Sequence, residues 1–463
     1  MRINREHSSP LFFFFALFFL LVASPLHAEL RSLKTGLDSA PIALLKMVLK
    51  TQGMYRVSGR DLSAAGIRLD EVDPARVRLL YGGGRPLPLS LAEARDGLEE
   101  IACIVEDGGD GRFDEEDFLA FYGEPTSRWV YEEDRVHYQK NLYTRENVYW
   151  LEIGGATKGK RAALRSGHLG DSNPQVPKSY RVRTHTESEE SILLRTFGIS
   201  SGYEWYWQEF ANEGRDFSIA IDHAVNAPMK IRLRFFAVIS PAGRLPLNRF
   251  NIRWNNRSIG RLSFEKEPSF TTELEADEGA REGLNKLTLI HSGYIARLDW
   301  YELEYSRQFV AKNGDLIFTS PVAAGMAEFH LEGFAAERPR IFEFSRDLVE
   351  IDAFEYDAQT GTVVFQDEGN ASPRRYLAAG PSRWQRPLRI ELDSPGLLQG
   401  NGNGADYLII THRDFATAAE HLAAWRAEDD RFGPPLQTAV VDVEDICDEF
   451  SNGLLDPAAI RNF

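Results

Sequence analysis

From residue 29 to about 400 the chain is built of short runs in which apolar residues recur at every second position. Arg76–Tyr81 runs into Gly82-Gly83-Gly84, and Asn147–Ile153 runs into Gly154-Gly155. Met229–Ile239, Leu287–Ile290 and Leu298–Tyr305 continue the pattern. Alternation of this kind, rich in β-branched and aromatic residues and punctuated by turn formers, predicts strands with one buried and one wet face. Such strands assemble as antiparallel, sandwich-like sheets. Helical spacing is scarce here, and Ala40–Thr51 is the best candidate.

The pattern changes after Asn401-Gly402-Asn403-Gly404. Ala405–Thr411 is a continuous apolar run suited to a strand buried on both faces. Phe415–Ala427 has helical periodicity, with Phe415, Ala418, Ala419, Leu422 and Trp425 on one stripe. Gln437–Val443 predicts a second buried strand. Asp456 then stands as the N-cap of a further helix, with Pro457 in its first turn. Strand, helix, strand, helix start is the opening of a parallel α/β sheet, and about 60 residues do not complete one. The expectation is therefore an α/β domain left incomplete at Phe463.

The resulting map is mainly β. A leader occupies 1–28, and a β-rich domain with an acidic loop 29–175. A β-sandwich domain occupies 176–312, a further β-rich domain 313–400, and the incomplete α/β domain 405–463.

The leader rests on Arg2 and Arg5, the 13-residue apolar run Leu11–Ala23, and small residues leading to Ala28. This is the layout of a secretory signal peptide, and the run is too short to span a bilayer. Its removal changes the net charge from −16 to −17, since Arg2, Arg5 and Glu6 leave with it. Export to the periplasm, the cell surface or the medium follows, with no later transmembrane segment expected. The acidic balance, 69 Asp+Glu against 53 Lys+Arg, argues against a nucleic-acid partner. The two cysteines, Cys103 and Cys447, are too few for a disulfide framework or a four-thiolate zinc site. Both read as buried thiols acting as small hydrophobes.

Glu106–Asp117 holds seven carboxylates against one arginine. With Gly111 as the turn glycine of a calcium loop, Asp110, Asp114 and Asp117 fall at the fifth, ninth and twelfth positions. Asp107 adds a fourth candidate ligand, while Gly108 leaves the third position without a side chain. Two readings stand: a structural calcium site held by Asp107, Asp110, Asp114 and Asp117, or a solvated acidic turn. Tyr203, Trp205 and Trp207 alternate and so should share a strand face, either as core or as a platform for sugar rings. His185, His223, His291 and His330 are scattered singly, without the close pairs a zinc site needs. Asp299 reads as an ordered surface or turn carboxylate. Gly82-Gly83-Gly84 reads as a turn, since it lacks the Gly-Lys-Ser/Thr ending of a phosphate loop.

Four blocks near the C-terminus carry a resemblance. They are Ala405–His412, Val440–Ile446, Asp448-Glu449-Phe450-Ser451-Asn452-Gly453, and Asp456–Arg461. In this order and spacing the segment resembles the entry to the catalytic domain of the gingipain-like cysteine peptidases, family C25, which include type IX secretion sortases. Cys447 departs from the pattern, standing where the family tends to carry tyrosine. Upstream, Trp205–Phe210, Leu298–Arg307 and Ala311–Phe318 resemble the β-rich region that precedes such peptidases. The resemblance implies a caspase-like α/β fold and an endopeptidase acting on proteins or peptides. It also implies a Cys thiolate with a His partner, no catalytic cofactor, and contact with a secretion machinery. In that fold the dyad follows the third and fourth strands, so the resemblance places it beyond Phe463 and assigns no catalytic residue here. His412, just after the first strand, either lines the site or caps a loop or helix. A second reading is a non-catalytic exported β-domain protein that binds glycans or assembles at a surface.

Overall fold

The computed structural model describes residues 42–463 except 91–92, 94–96, 133–134, 193–204, 239–242, 244–246, 266–268, 394–397, 401–402 and 432. The leader at 1–28 lies outside the described residues, as does Tyr203. No helix among the described residues is long and apolar enough to cross a membrane.

The fold is mostly β, in several antiparallel sheets. The first sheet has five strands in the order Arg389–Leu392, Ala43–Leu49, Asn147–Ile153, Arg78–Tyr81, Glu99–Ile101. Its two central strands, Ala43–Leu49 and Asn147–Ile153, are buried almost throughout. Ala43, Leu45, Met47 and Leu49 face a core shared with the sheet Gly53–Ser58, Phe118–Gly123, Ile104–Glu106. The alternate residue Leu44 faces a second cluster with Leu80, Val148 and Trp150.

This corrects the expectation of a helix over Ala40–Thr51. When both faces of a strand are apolar, alternation disappears from the sequence, and a short apolar run fits either period. Pairing on both sides, with Asn147–Ile153 and with Arg389–Leu392, then decides for strand.

Two further β units follow. The sheet Tyr180–Glu187, Ala296–Arg307, Met229–Ala237, Ser269–Ala276 and the sheet Gly214–Ile221, Gly283–Ser292, Asn248–Trp254, Arg257–Phe264 share one core. That core is rich in stacked and edge-on rings, among them Phe210, Phe235, Phe250 and Phe264. The next sheet runs Asp315–Thr319, Arg375–Ala379, Arg340–Glu343, Val349–Asp352, Ala163–Ser166. Its core includes Phe318, Phe329, Phe365 and Tyr376. Ala163–Ser166 joins it by parallel pairing from far upstream, and Arg389–Leu392 leaves it for the first sheet.

At the C-terminus, Tyr407–Thr411 pairs in parallel with Thr438–Asp442, and helix Ala416–Glu428 connects them. Helices Val443–Phe450 and Pro457–Asn462 follow. The second of these is capped by Asp456, whose Oδ1 accepts from the Ala458 N–H at 2.8 Å. Both strands are only half-buried rather than enclosed. The helix lies where periodicity placed it, but its buried residues are Ala419 and Ala423. Phe415 and Trp425 are 67% and 48% exposed, so of the expected stripe Ala419 packs and the large side chains do not. Small alanines let the helix approach the strands closely, and the Trp425 ring is covered instead by the guanidinium groups of Arg426 and Arg431.

This segment is fastened to the first sheet. Lys46 reaches out of the Ala43–Leu49 strand to Asp448 at 2.5 Å, with both side chains mostly buried. The Trp150 indole N–H donates to the Asn452 carbonyl at 2.9 Å. Leu454 completes the cluster of Leu44, Leu80, Leu98, Val148 and Trp150. The chain passes this point through Asn452 at φ +55° and Gly453 at φ +93°. A Cβ on Gly453 would stand 2.6 Å from Val148 Cγ1. Gly453→Ala is therefore expected to destabilise the fold by about 1–3 kcal/mol, through left-handed strain and overlap together. Gly404→Ala, where the space is open, should leave thermal and urea melts unchanged.

Candidate functional site

Ligands of open α/β sheets bind beyond the carboxyl ends of the strands. Here that edge gathers His412, Arg413, Asp442 and Glu444. His412 Nδ1 accepts from the Asp414 N–H at 3.3 Å, and its Nε2 lies 3.5 Å from Glu444. Arg413 pairs with Glu444 and stands 3.9 Å from Asp442. Asp442 caps helix Val443–Phe450 by accepting from the Glu444 N–H at 2.9 Å. His412 is thus a capping histidine that also borders the strand edge. The cluster can hold charge and orient a backbone, but it contains no nucleophile.

Neither cysteine supplies one. Both thiols are free and buried. Cys103 is fully enclosed, and burial pushes its pKa up to about 12. Cys447 faces a core with Ile446, Phe450 and Ala459, and burial raises it as well. A reactive thiol needs exposure and a lowered pKa, and these have the reverse.

The acidic loop turns at Gly111 with φ +75°. Most of its carboxylates bond within the loop or to nearby arginines, whereas Asp114 takes part through its backbone N–H. Asp107 accepts from the Gly109 N–H, Asp110 from the Arg112 N–H, and Asp117 from the Asp114 N–H. Glu106 pairs with Arg340, and Glu115 and Glu116 pair with Arg60. No group of three or more metal-ligating side chains converges among the described residues.

A further site was not anticipated from sequence. It lies on the outer face of the strand Ala296–Arg307. Pairing with Met229–Ala237 shifts register between Arg234 and Phe235, which face Trp300 and Leu298. Asp299 is the extra residue of this bulge. Leu298 and Tyr301 stay in the core, so Asp299 and Trp300 both turn outward. The hairpin Arg128–Tyr131 and Val136–Gln139 crosses this face, with Tyr138 stacked on His185 at 3.9 Å. Cavities of about 790 and 530 Å³ open on its two sides. The larger is lined by arginines, lysine and glutamates of both sheets, and the smaller holds Asp299, Trp300 and Trp205.

Asp299 is therefore no surface or turn carboxylate: its side chain is 18% exposed, beside Arg234 at 3.4 Å. Burial raises its pKa to about 6, with Arg234 opposing. His185 Nδ1 donates to the Glu302 carboxylate at 3.0 Å. Burial lowers its pKa, but Glu187 and Glu302 outweigh that and hold it above the ordinary value. The aromatic alternation does not share one face. The strand is interrupted at Trp207, which packs in the core against Phe217 and Tyr301, whereas Trp205 stands at the cavity rim. His291 is structural as expected, bonded to Asn248 and to the Asn212 N–H. Trp205, His185 and Asp299 were each noted in the sequence, but singly; His185 meets the strand of Asp299 by a pairing more than a hundred residues apart, and Tyr138 carried no signal.

Residues 401–463 match the model of peptidase family C25. The chain is also similar to the crystal structure of dimeric latent PorU from Porphyromonas gingivalis, at 17% identity and a TM-score of 0.65. That likeness covers 91% of this chain and 39% of PorU, so the chain spans about two-fifths of the PorU length. Residues 401–463 are thus similar to the C25 peptidase family, and over most of its length the chain shares the fold of PorU. The C25 segment is the parallel strand pair with its helices, and the β units before it share the PorU fold. A β-porphyranase of glycoside hydrolase family 86 from Bacteroides plebeius also aligns, at 9% identity and a TM-score of 0.20 over 59% of this chain and 36% of that one, too slight to argue from. No curated protein matches the chain.

Two outcomes follow from this wiring. With its carboxylates on backbone N–H groups and arginines, the acidic loop should keep its melting temperature in EDTA; a fall of several degrees would show a bound cation instead. Asp299 faces Arg234, Glu187, Lys140 and His185, and its folded pKa is above its ordinary value. The folded state therefore binds the proton more tightly, and stability is lost as pH rises from about 4 through 6. Asp299→Asn should melt a few degrees above the native chain at pH 7.5, with no difference near pH 4.

Proposed function

We propose that this chain is the N-terminal portion of an exported gingipain-like C25 cysteine endopeptidase. The observation that carries the reading is the C25 match at 401–463 falling on a parallel strand–helix–strand unit, bolted through Lys46, Trp150 and Leu454 to the first β sheet. The shared fold with PorU over most of the chain supports it. On this reading the units near 29–175, 176–312 and 313–400 brace the peptidase domain, and 1–28 directs export. Protein substrates are cleaved by a Cys thiolate and a His that residues 42–463 do not contribute. His412 and Glu444 border the cleft without taking part in bond breaking. No catalytic cofactor is invoked, and any calcium in the acidic loop would be structural.

The purified chain without its leader, residues 29–463, is expected to show no turnover of a broad fluorogenic peptide library. It should also show no thiol reactive to Ellman's reagent until denatured, when two appear. A protein carrying these residues followed by the remainder of a C25 domain should cleave, and iodoacetamide should abolish that cleavage. Turnover by residues 29–463 that survives alkylation overturns the reading.

A further inference from the structure

The cavity of about 530 Å³ beside the hairpin has no part in the strand edge of the C25 segment. We infer that it is a binding site for a neutral oligosaccharide, seated on Trp205 and Trp300 and hydrogen-bonded by the charged groups around them.

The argument begins with the bulge. A regular strand would send either Asp299 or Trp300 into the core; the extra residue places an acceptor and an aromatic side by side on the outer face. Trp205 supplies a second indole at the rim, 41% exposed. Tyr138, from the hairpin, closes the wall. An indole left partly in water at the mouth of a cavity forgoes burial that a ligand with an apolar face recovers. Sugar rings present such a face in their axial C–H groups.

The polar groups specify the rest. Lys140 is paired with Glu187 at 3.0 Å and with Glu189 at 2.5 Å, and Arg234 lies beside Asp299. Charge of both signs is thus already compensated within the wall. A cation would be opposed by Lys140 and Arg234, and an anion by Asp299, Glu187 and Glu189. Hydroxyl groups instead accept from the former and donate to the latter without stranding either partner. His185 adds an open position: its side chain is 6% exposed, and its Nε2 has no hydrogen-bond partner among the described residues, 3.8 Å from Glu187. A buried polar atom left in this state costs free energy that a ligand hydroxyl would recover. The volume is that of a ligand pocket and holds two or three sugar rings.

The test titrates the leaderless chain with neutral trisaccharides of different sugar and linkage: cellotriose, maltotriose, xylotriose, mannotriose and chitotriose. Tryptophan fluorescence and ligand-observed NMR are the readouts. At least one sugar should saturate in the millimolar range or below. Trp205→Ala should weaken it at least tenfold, Trp205→Phe should retain most of the binding, and Asp299→Asn should weaken it severalfold. Trp425→Ala, on the exposed face of the C-terminal helix, should change nothing. Because Trp205 is at the rim, its variants should melt with the parent. Absence of saturation by every sugar to about 10 mM overturns the proposal. So does binding that Trp205→Ala leaves intact, or a site taken instead by oligolysine or by a sulfated oligosaccharide and lost in the same variant.

Discussion

Covering both faces of the sheet built on Ala43–Leu49 and Asn147–Ile153 is the constraint from which the remaining arrangement follows. One face is satisfied locally, by Leu45, Met47, Tyr149 and Leu151 against the sheet that includes Phe121. The other presents Leu44, Val148 and Trp150 and has to be covered from elsewhere; the turn at Asn452–Leu454 does so. The same contact fixes the parallel strand pair by its downstream helices, so the β region and the C25 segment share a hydrophobic boundary. Lys46 is the polar exception on that face. Its ammonium meets Asp448 and lies 6.0 Å from the Trp150 ring, which compensates its burial.

The sequence made much of this legible. Strands Met229–Ala237 and Ala296–Arg307 fall where alternation placed them, because each has one core face and one less buried face; Asn147–Ile153 also falls where it was placed, although both its faces are buried. The C-terminal strands, their connecting helix and the Asp456 cap were also readable from pattern and capping chemistry. What failed had a physical cause. Ala43–Leu49 is apolar on both faces and so carries no period. Phe415, Leu422 and Trp425 share a stripe, yet packing chose the smaller Ala419 and Ala423, which permit close approach. The helix Val443–Phe450 carried no prediction, because its acidic first turn, capped by Asp442, hides its buried Ile446, Cys447 and Phe450.

The carbohydrate site was the least visible, for a different reason. A bulge is a property of register between two strands, and neither strand alone announces it. Asp299 beside Trp300 looks in sequence like ordinary alternation of wet and dry. Only when Arg234 faces Trp300 and Phe235 faces Leu298 do both turn the same way. His185, opposite Glu302, and Tyr138, above it, are then added from separate elements. The acidic loop shows the converse: a dense local signal, most of whose carboxylates bond to neighbouring N–H groups and arginines.

The strand Arg389–Leu392 bears on how such a chain comes into being. Leu392 pairs with Leu45 across about 350 positions of sequence. The first sheet therefore cannot acquire its edge strand until nearly the whole β region has been synthesised. Until then Ala43–Leu49 offers a row of unpaired backbone groups on a strongly apolar strand, an invitation to intermolecular pairing. A contact of such range is slow to form. The strand Ala43–Leu49, made well before its partner Arg389–Leu392, is therefore among the last parts of the β region to be completed.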